Sequence, residues 1–112
     1  MSFLSGLGNL TELMKNARAM GKRFQEMREQ LRQERFTASV GGDLVQVTVN
    51  GEGDLLTLSI DPSVVDPSDK ELLEDLVVAA VSEAVRKSRT HAREQMNSLS
   101  GGIDVSGMLG LS

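Results

Sequence analysis

The apolar positions of this chain change period twice. Between Asn9 and Arg35, Leu10, Leu13, Ala17, Met20, Phe24, Met27 and Leu31 recur at alternating spacings of three and four. That is the a/d seam of a helix whose narrow apolar stripe meets another helix. The 27 residues of this stretch, at about 1.5 Å each, make a rod of roughly 40 Å, about twice an ordinary strand. It is longer than the body that follows can cover, so the seam is expected to meet the same helix of a second copy. From Phe36 the period becomes two. Phe36, Ala38 and Val40, then Val45, Val47 and Val49, then Leu56, Leu58 and Ile60 alternate with polar residues, separated by Gly41-Gly42-Asp43 and by Asn50-Gly51-Glu52-Gly53-Asp54. Three short strands joined by Gly-rich turns predict an antiparallel meander with one buried face.

The second change comes after Asp61-Pro62. Asp66-Pro67 and the Ser68-x-x-Glu71 spacing signal a helix start, through Pro in the first turn and a capping box. Leu72, Leu73, Leu76, Val77, Ala80, Val81, Ala84 and Val85 form a stripe wide enough to cover a sheet face. Beyond Val85 that face thins to Ala92, Met96 and Leu99, and this end too is expected to project past the sheet. The pattern predicts one α+β domain over residues 1–112, in α-β-β-β-α order. Its parts are a frayed N-terminus (1–8), an arm helix (9–35), a three-stranded antiparallel sheet (36–60), a second helix (66–98) and a Gly/Ser-rich tail (99–112). The tail, with Ile103, Val105, Met108, Leu109 and Leu111 at no clear period, is expected to be mobile or clipped down by these residues.

Charge adds a segregation that the apolar pattern does not reveal. The net charge is −4, which alone argues against a polyanionic partner. Yet residues 1–35 hold seven Lys or Arg against four Glu, residues 36–85 hold Lys70 against ten acids, and residues 86–112 hold four basic residues against two acids. Positive charge thus sits in the two ends and negative charge in the middle. On the first helix Lys15, Arg18 and Lys22 fall at i, i+3 and i+7, one basic stripe away from the seam, with Arg23, Arg28, Arg32 and Arg35 extending it. On the second, Arg86, Lys87, Arg89 and Arg93 follow the core stripe. A solvated helix face and favourable interaction with a helix C-terminus are the competing explanations of such residues.

Catalytic chemistry finds no support in the residue pattern. His91 is the lone His and sits among Ser88, Arg89 and Arg93; the acids Asp43, Glu52, Asp54, Asp61 and Asp66 occupy turns, where they serve as turn formers and caps. The Gly51-x-Gly53 pair lies between two strands, with no helix N-terminus to receive a phosphate. No spacing matches a metal site, and the absence of Cys excludes disulfides and thiolate ligands. No signal peptide or 18-residue apolar run is evident, so a soluble cytoplasmic protein without cofactor, metal or small-molecule substrate is expected.

Several of these stretches together resemble the YbaB/EbfC family of bacterial nucleoid-associated proteins. The resemblance lies in Gly6-Leu7-Gly8-Asn9-Leu10, in Leu44-Val45-x-Val47-Thr48-Val49-Asn50-Gly51, in Ile60-Asp61-Pro62-Ser63, in Asp69-Lys70-Glu71-x-Leu73-Glu74-Asp75-Leu76-Val77-x-Ala79-Ala80, and in Met96 before Gly101-Gly102. It implies a tweezer-shaped homodimer that binds duplex DNA, alters its conformation and influences nucleoid organisation and gene expression. It implies DNA contact by the helical arms, here Lys15, Arg18, Lys22 and Arg23 with Arg86, Lys87, Arg89 and Arg93. The first helix carries more Arg and less Gln than the family pattern. With no Trp or Tyr to stack on bases, readout is expected to rest on phosphates. The alternative is a coiled-coil-type protein interaction module that uses the seam and does not bind DNA.

Overall fold

The computed structural model describes residues 2–99. Helix α1 spans Ser2–Gln33, strands β1 (Arg35–Val40), β2 (Val45–Asn50) and β3 (Leu55–Ile60) follow, and helix α2 spans Lys70–Leu99. Two single-turn 3-10 helices, Pro62–Val64 and Pro67–Asp69, connect the sheet to α2. The order is α-β-β-β-α. Helix α1 starts at Ser2, seven residues before the Asn9 at which the seam begins, and Arg35 opens β1 instead of closing α1. The expected tail, with its Gly101-Gly102 pair, lies outside the described residues.

The sheet is antiparallel in the order β1-β2-β3. Ala38 stands opposite Val47, which stands opposite Leu58, so the three strands align their apolar positions on one face. Helix α2 lies on that face over β1 and β2. Val45, Val47, Val49, Ala38, Ala80 and Ala84 are the buried core, with Phe36, Val40, Leu73, Leu76, Val77, Val81 and Val85 packed around them. Ala80, Ala84 and Ser88 are the buried residues of α2. Their i, i+4, i+8 spacing puts small side chains where helix meets sheet, and this lets the two backbones approach closely.

Strand β3 departs from the expected single buried face. Leu55, Leu56 and Leu58 remain 51%, 42% and 45% exposed, because α2 does not reach across the third strand. A bulge opposite Thr48 and Val49 leaves Leu56 as the extra residue on β3. The meander's turns are held by side chains. Gly41, Gly42 and Asp43 all have φ between 64° and 69°, where glycine carries no Cβ penalty and Asp is better tolerated than most residues. In the second turn the buried Asn50 accepts from the backbone N–H groups of Glu52 (2.9 Å) and Asp54 (3.0 Å).

The start of α2 is capped differently from the expected box. Asp66 accepts from the N–H of Ser68 (2.9 Å) and from its hydroxyl (2.7 Å). Asp69 receives the N–H of Leu72 at 3.4 Å. Aspartates two and three residues ahead of their donors fill the role assigned to Ser68 and Glu71, because Pro67 first sets a 3-10 turn there. Asp61 repeats the device on Ser63.

Candidate nucleic-acid interface

Both helices leave the sheet at the same end. Leu31, near the C-terminus of α1, is buried, and its carbonyl accepts the N–H of Gly51 at 2.8 Å. This bond joins the base of α1 to the β2–β3 turn. From there α1 and the second half of α2 run antiparallel, flanking a cleft of about 470 Å³ lined by Phe24, Met27, Arg28 and Leu31 on α1 and by Ser88, Arg89, Ala92 and Met96 on α2. The lower part of the seam, Phe24, Met27 and Leu31, is thus turned toward the same chain's α2. Its upper part is open to solvent, with Leu10 52% and Leu13 64% exposed beside Met14 and with Ala17 exposed too. The outcome is an elongated molecule of 80 × 30 × 18 Å.

The basic residues fall into three groups. Lys15, Arg18, Lys22 and Arg23 are exposed on α1 and make no ion pair among the described residues. Arg86, Arg89 and Arg93 line one side of α2, together with Ser82 and Thr90, along a shallow groove of about 550 Å³. Arg86 differs from its neighbours there, because Glu83 holds it through two contacts of 2.5 and 3.1 Å. The pairing lowers the Glu83 carboxyl below its ordinary range and raises the Arg86 guanidinium. Lys87 belongs to the body, since its ammonium donates to the Thr37 carbonyl at 2.9 Å and so ties α2 to β1.

Arg28, not among the expected contact residues, faces the cleft shared with Arg89. Its position next to the seam residues Phe24 and Met27 concealed this, because only the antiparallel approach of α2 brings it toward a second cation. Arg32 is neutralised by Glu29 (2.5 Å) and Glu52 (2.6 Å), and the Glu52 hydrogen bond chiefly raises its guanidinium. Arg35 donates to the carbonyls of Arg32 and Glu34. His91 is not a solvated surface residue. Its Nε2 meets Glu34 Oε2, both atoms are shut off from water, and its ring lies 5.2 Å from that of Phe36, so it fastens α2 to the α1–β1 junction.

Glu29, Glu52 and Glu83 lie among the basic residues as their partners, and a separate acidic group stands at the start of α2. Asp69, Glu71 and Glu74 flank the first turn of α2, where carboxylates suit the helix N-terminus, at the opposite end of α2 from Arg89 and Arg93. Among the described residues no group of three His, Cys, Asp or Glu is placed to hold a metal. No helix among them is long and apolar enough to cross a membrane.

A long helix, an antiparallel three-stranded sheet and a second long helix form an arrangement shared with known proteins. The sequence model of the YbaB/EbfC DNA-binding family matches residues 6–103. The chain belongs to this family. It is a DNA-binding family and not a family of enzymes. A nucleoid-associated protein of Clostridium kluyveri is 38% identical over 103 residues, covering 92% of this chain and 90% of the relative. One of Anaeromyxobacter dehalogenans is 45% identical over 98 residues, covering 88% and 95%. The crystal structure of an uncharacterized protein, HP0035, from Helicobacter pylori superposes with a TM-score of 0.73 at 25% identity, covering 78% of this chain and 91% of that one.

Proposed function

We propose that this protein is a nucleoid-associated DNA-binding protein of the bacterial cytoplasm. It acts as a homodimer that holds duplex DNA through phosphate contacts and alters its conformation, and with it nucleoid organisation and gene expression. The observation that carries this reading is the arm's supply of cations that make no ion pair among the described residues. Lys15, Arg18, Lys22, Arg23 and Arg28 on α1, with Arg89 and Arg93 on α2, project from a body whose acids repel DNA and orient it toward the arms. No aromatic platform accompanies them, so sequence readout is weak and counterion release dominates. A family of DNA-binding proteins, with relatives named as nucleoid-associated, supports the same reading.

Dimerisation draws on two surfaces. Leu55, Leu56 and Leu58 present an apolar row on the sheet's free edge, and a second copy laid against it removes that row from water. Joining the bodies there keeps the two arms apart, as the blades of a pair of tweezers. The exposed Leu10 and Leu13 at the upper seam are the second surface. They also favour the rival reading, a protein interaction module without DNA.

The deciding experiment is titration onto a labelled duplex of mixed sequence at several salt concentrations, with unlabelled DNA of unrelated sequence as competitor. If about four phosphates are neutralised, log K against log salt slopes at roughly −3.6, so binding weakens about 150-fold between 50 and 200 mM salt. Displacement by any competitor supports a general nucleoid role. Displacement by one sequence alone points to a site-specific regulator. No binding at low salt by an intact dimer leaves the protein-interaction reading.

A further inference from the structure

Among the described residues the sheet has two free edges, because β1 and β3 each pair on one side only. Such an edge offers a row of unpaired N–H and C=O groups to any extended strand that comes alongside. The pairing shows which groups these are on β1. Thr37 stands opposite Thr48, their hydroxyls lie 3.0 Å apart, and the Thr37 carbonyl accepts from Lys87. These are the marks of a non-hydrogen-bonded pair, the closer of the two antiparallel kinds, whose main-chain groups point away from the partner strand. The Leu44 carbonyl agrees, since it accepts from Asp61 at 2.8 Å, and by alternation Gln46 and Thr48 turn their main chain toward β3. The outward groups of β1 are therefore those of Arg35, Thr37 and Ser39.

The two edges differ in the charge that stands on them. Lys87 reaches from α2 to the middle of the β1 edge and sets its ammonium on the Thr37 carbonyl at 2.9 Å. Arg35 begins the strand, and Asp43, held by the Ser39 hydroxyl at 2.6 Å, stands beyond its end. A strand added here must displace the ammonium from its carbonyl or shut it away from water unpaired, and both are unfavourable. Strand β3 has no charged residue between Leu55 and Ile60, and its Leu55, Leu56 and Leu58 are exposed.

We propose that Lys87 guards the β1 edge, closing it to the β1 edge of a second molecule, so that β3 alone is left for self-association. A molecule that can join copies at both edges builds an open chain, whereas one self-complementary edge closes at two copies. The guard is independent of what the arms bind. The limit of two copies rests on the proposed dimer through β3.

The test compares Lys87→Met, which removes the charge, with Lys87→Arg, which keeps it, in the full-length protein. Sedimentation velocity over a range of protein concentrations gives the mass, and hydrogen exchange resolved to single amides gives the edge involved. Lys87→Met is expected to grow with concentration to multiples of the wild-type mass, while the outward amides of Thr37 and Ser39 exchange several-fold more slowly than in wild type. Lys87→Arg keeps the wild-type mass and exchange. An unchanged mass for Lys87→Met overturns the proposal. So does a larger mass with Thr37 and Ser39 still exchanging at the wild-type rate, which is the result of association through loosened packing or another surface. A wild type that sediments as one chain refutes the β3 dimer without altering this comparison.

Discussion

Replacing Gly51 by Ala tests the joint between arm and body. Gly51 is buried and its φ is not in the left-handed region, so its backbone accepts Ala and the cost is one of space. A Cβ built there meets the Leu31 carbonyl oxygen at 2.5 Å and the Leu31 Cα and Cβ at 2.9 Å. Backbone cannot turn aside as a side-chain end can. The base of α1 must move away from the β2–β3 turn, and the Gly51 N–H to Leu31 O bond lengthens or breaks. Overpacking at about 1–3 kcal/mol and a lost hydrogen bond at about 0.5–1.5 kcal/mol, less roughly 0.4–1 kcal/mol gained from a stiffer unfolded chain, give a net loss centred at about 2 kcal/mol. At about 4 °C per kcal/mol for a domain of this size, the melting temperature falls by roughly 8 °C. Urea and thermal unfolding followed by far-ultraviolet circular dichroism measure it, at one fixed protein concentration so that assembly does not vary. Gly21→Ala is the matched control. A Cβ there meets nothing within 4 Å, and Ala in a helix interior is expected to stabilise by up to about 1 kcal/mol. Equal stabilities for wild type and Gly51→Ala would refute the claim that this joint is closely packed.

Further outcomes follow from the same contacts. Lys15, Arg18 and Lys22 changed together to Glu are expected to abolish duplex binding while sedimentation shows the assembly unchanged; unaltered affinity would move the interface off α1. Leu58→Asp places a charge in the uncovered row of β3 and should shift the sedimentation equilibrium to the monomer, whereas an unchanged mass would remove β3 from the dimer contact. Lys87→Met should leave DNA affinity within about twofold, since its ammonium is occupied by Thr37, but Arg89→Met should weaken it by about one phosphate contact, flattening the salt slope by roughly 0.9. The Ser63 and Ser68 donors hold the Asp61 and Asp66 carboxyls below their ordinary range. Depressed folded values mean fewer bound protons than in the unfolded chain, so this stability is present above the unfolded value of about 3.9 and is lost as pH falls through the folded values. Unfolding measured from pH 5 to 2 should show a shallower acid loss in Asp61→Asn with Asp66→Asn.

Much of the fold was legible because its signals are local. A period of two from Phe36 to Ile60 and a broad 3.6-residue stripe from Leu72 to Val85 each need only the chain itself to be read. The capping at Asp66 escaped because Ser68-x-x-Glu71 also fits a box, and only the 3-10 turn at Pro67 decides between them. The exposure of β3 escaped for a different reason: alternation marks an apolar face without saying whether the covering helix reaches it. The site was legible as a charge distribution and not as contacts. Lys15, Arg18 and Lys22 lie on the same helix face by spacing alone, but Lys87 turns to Thr37, Arg86 to Glu83 and Arg28 toward Arg89 through packing between elements far apart in sequence. His91 likewise gains Glu34 and Phe36 only once α2 crosses the α1–β1 junction.

The hydrogen bond from Gly51 to Leu31 has a mechanical consequence. It sits at one end of two levers of unequal length. From Leu31 to Leu10 is roughly 32 Å of helix, while from Ser88 to Leu99 is roughly 16 Å. A tilt of about 5° at this fulcrum displaces the α1 tip by roughly 2.7 Å and the end of α2 by roughly 1.4 Å, taking both helices as rigid at about 1.5 Å per residue. The separation of the free ends of α1 and α2 is therefore governed by the fit at a single glycine, and any load on the tip of α1 is delivered as torque to the β2–β3 turn.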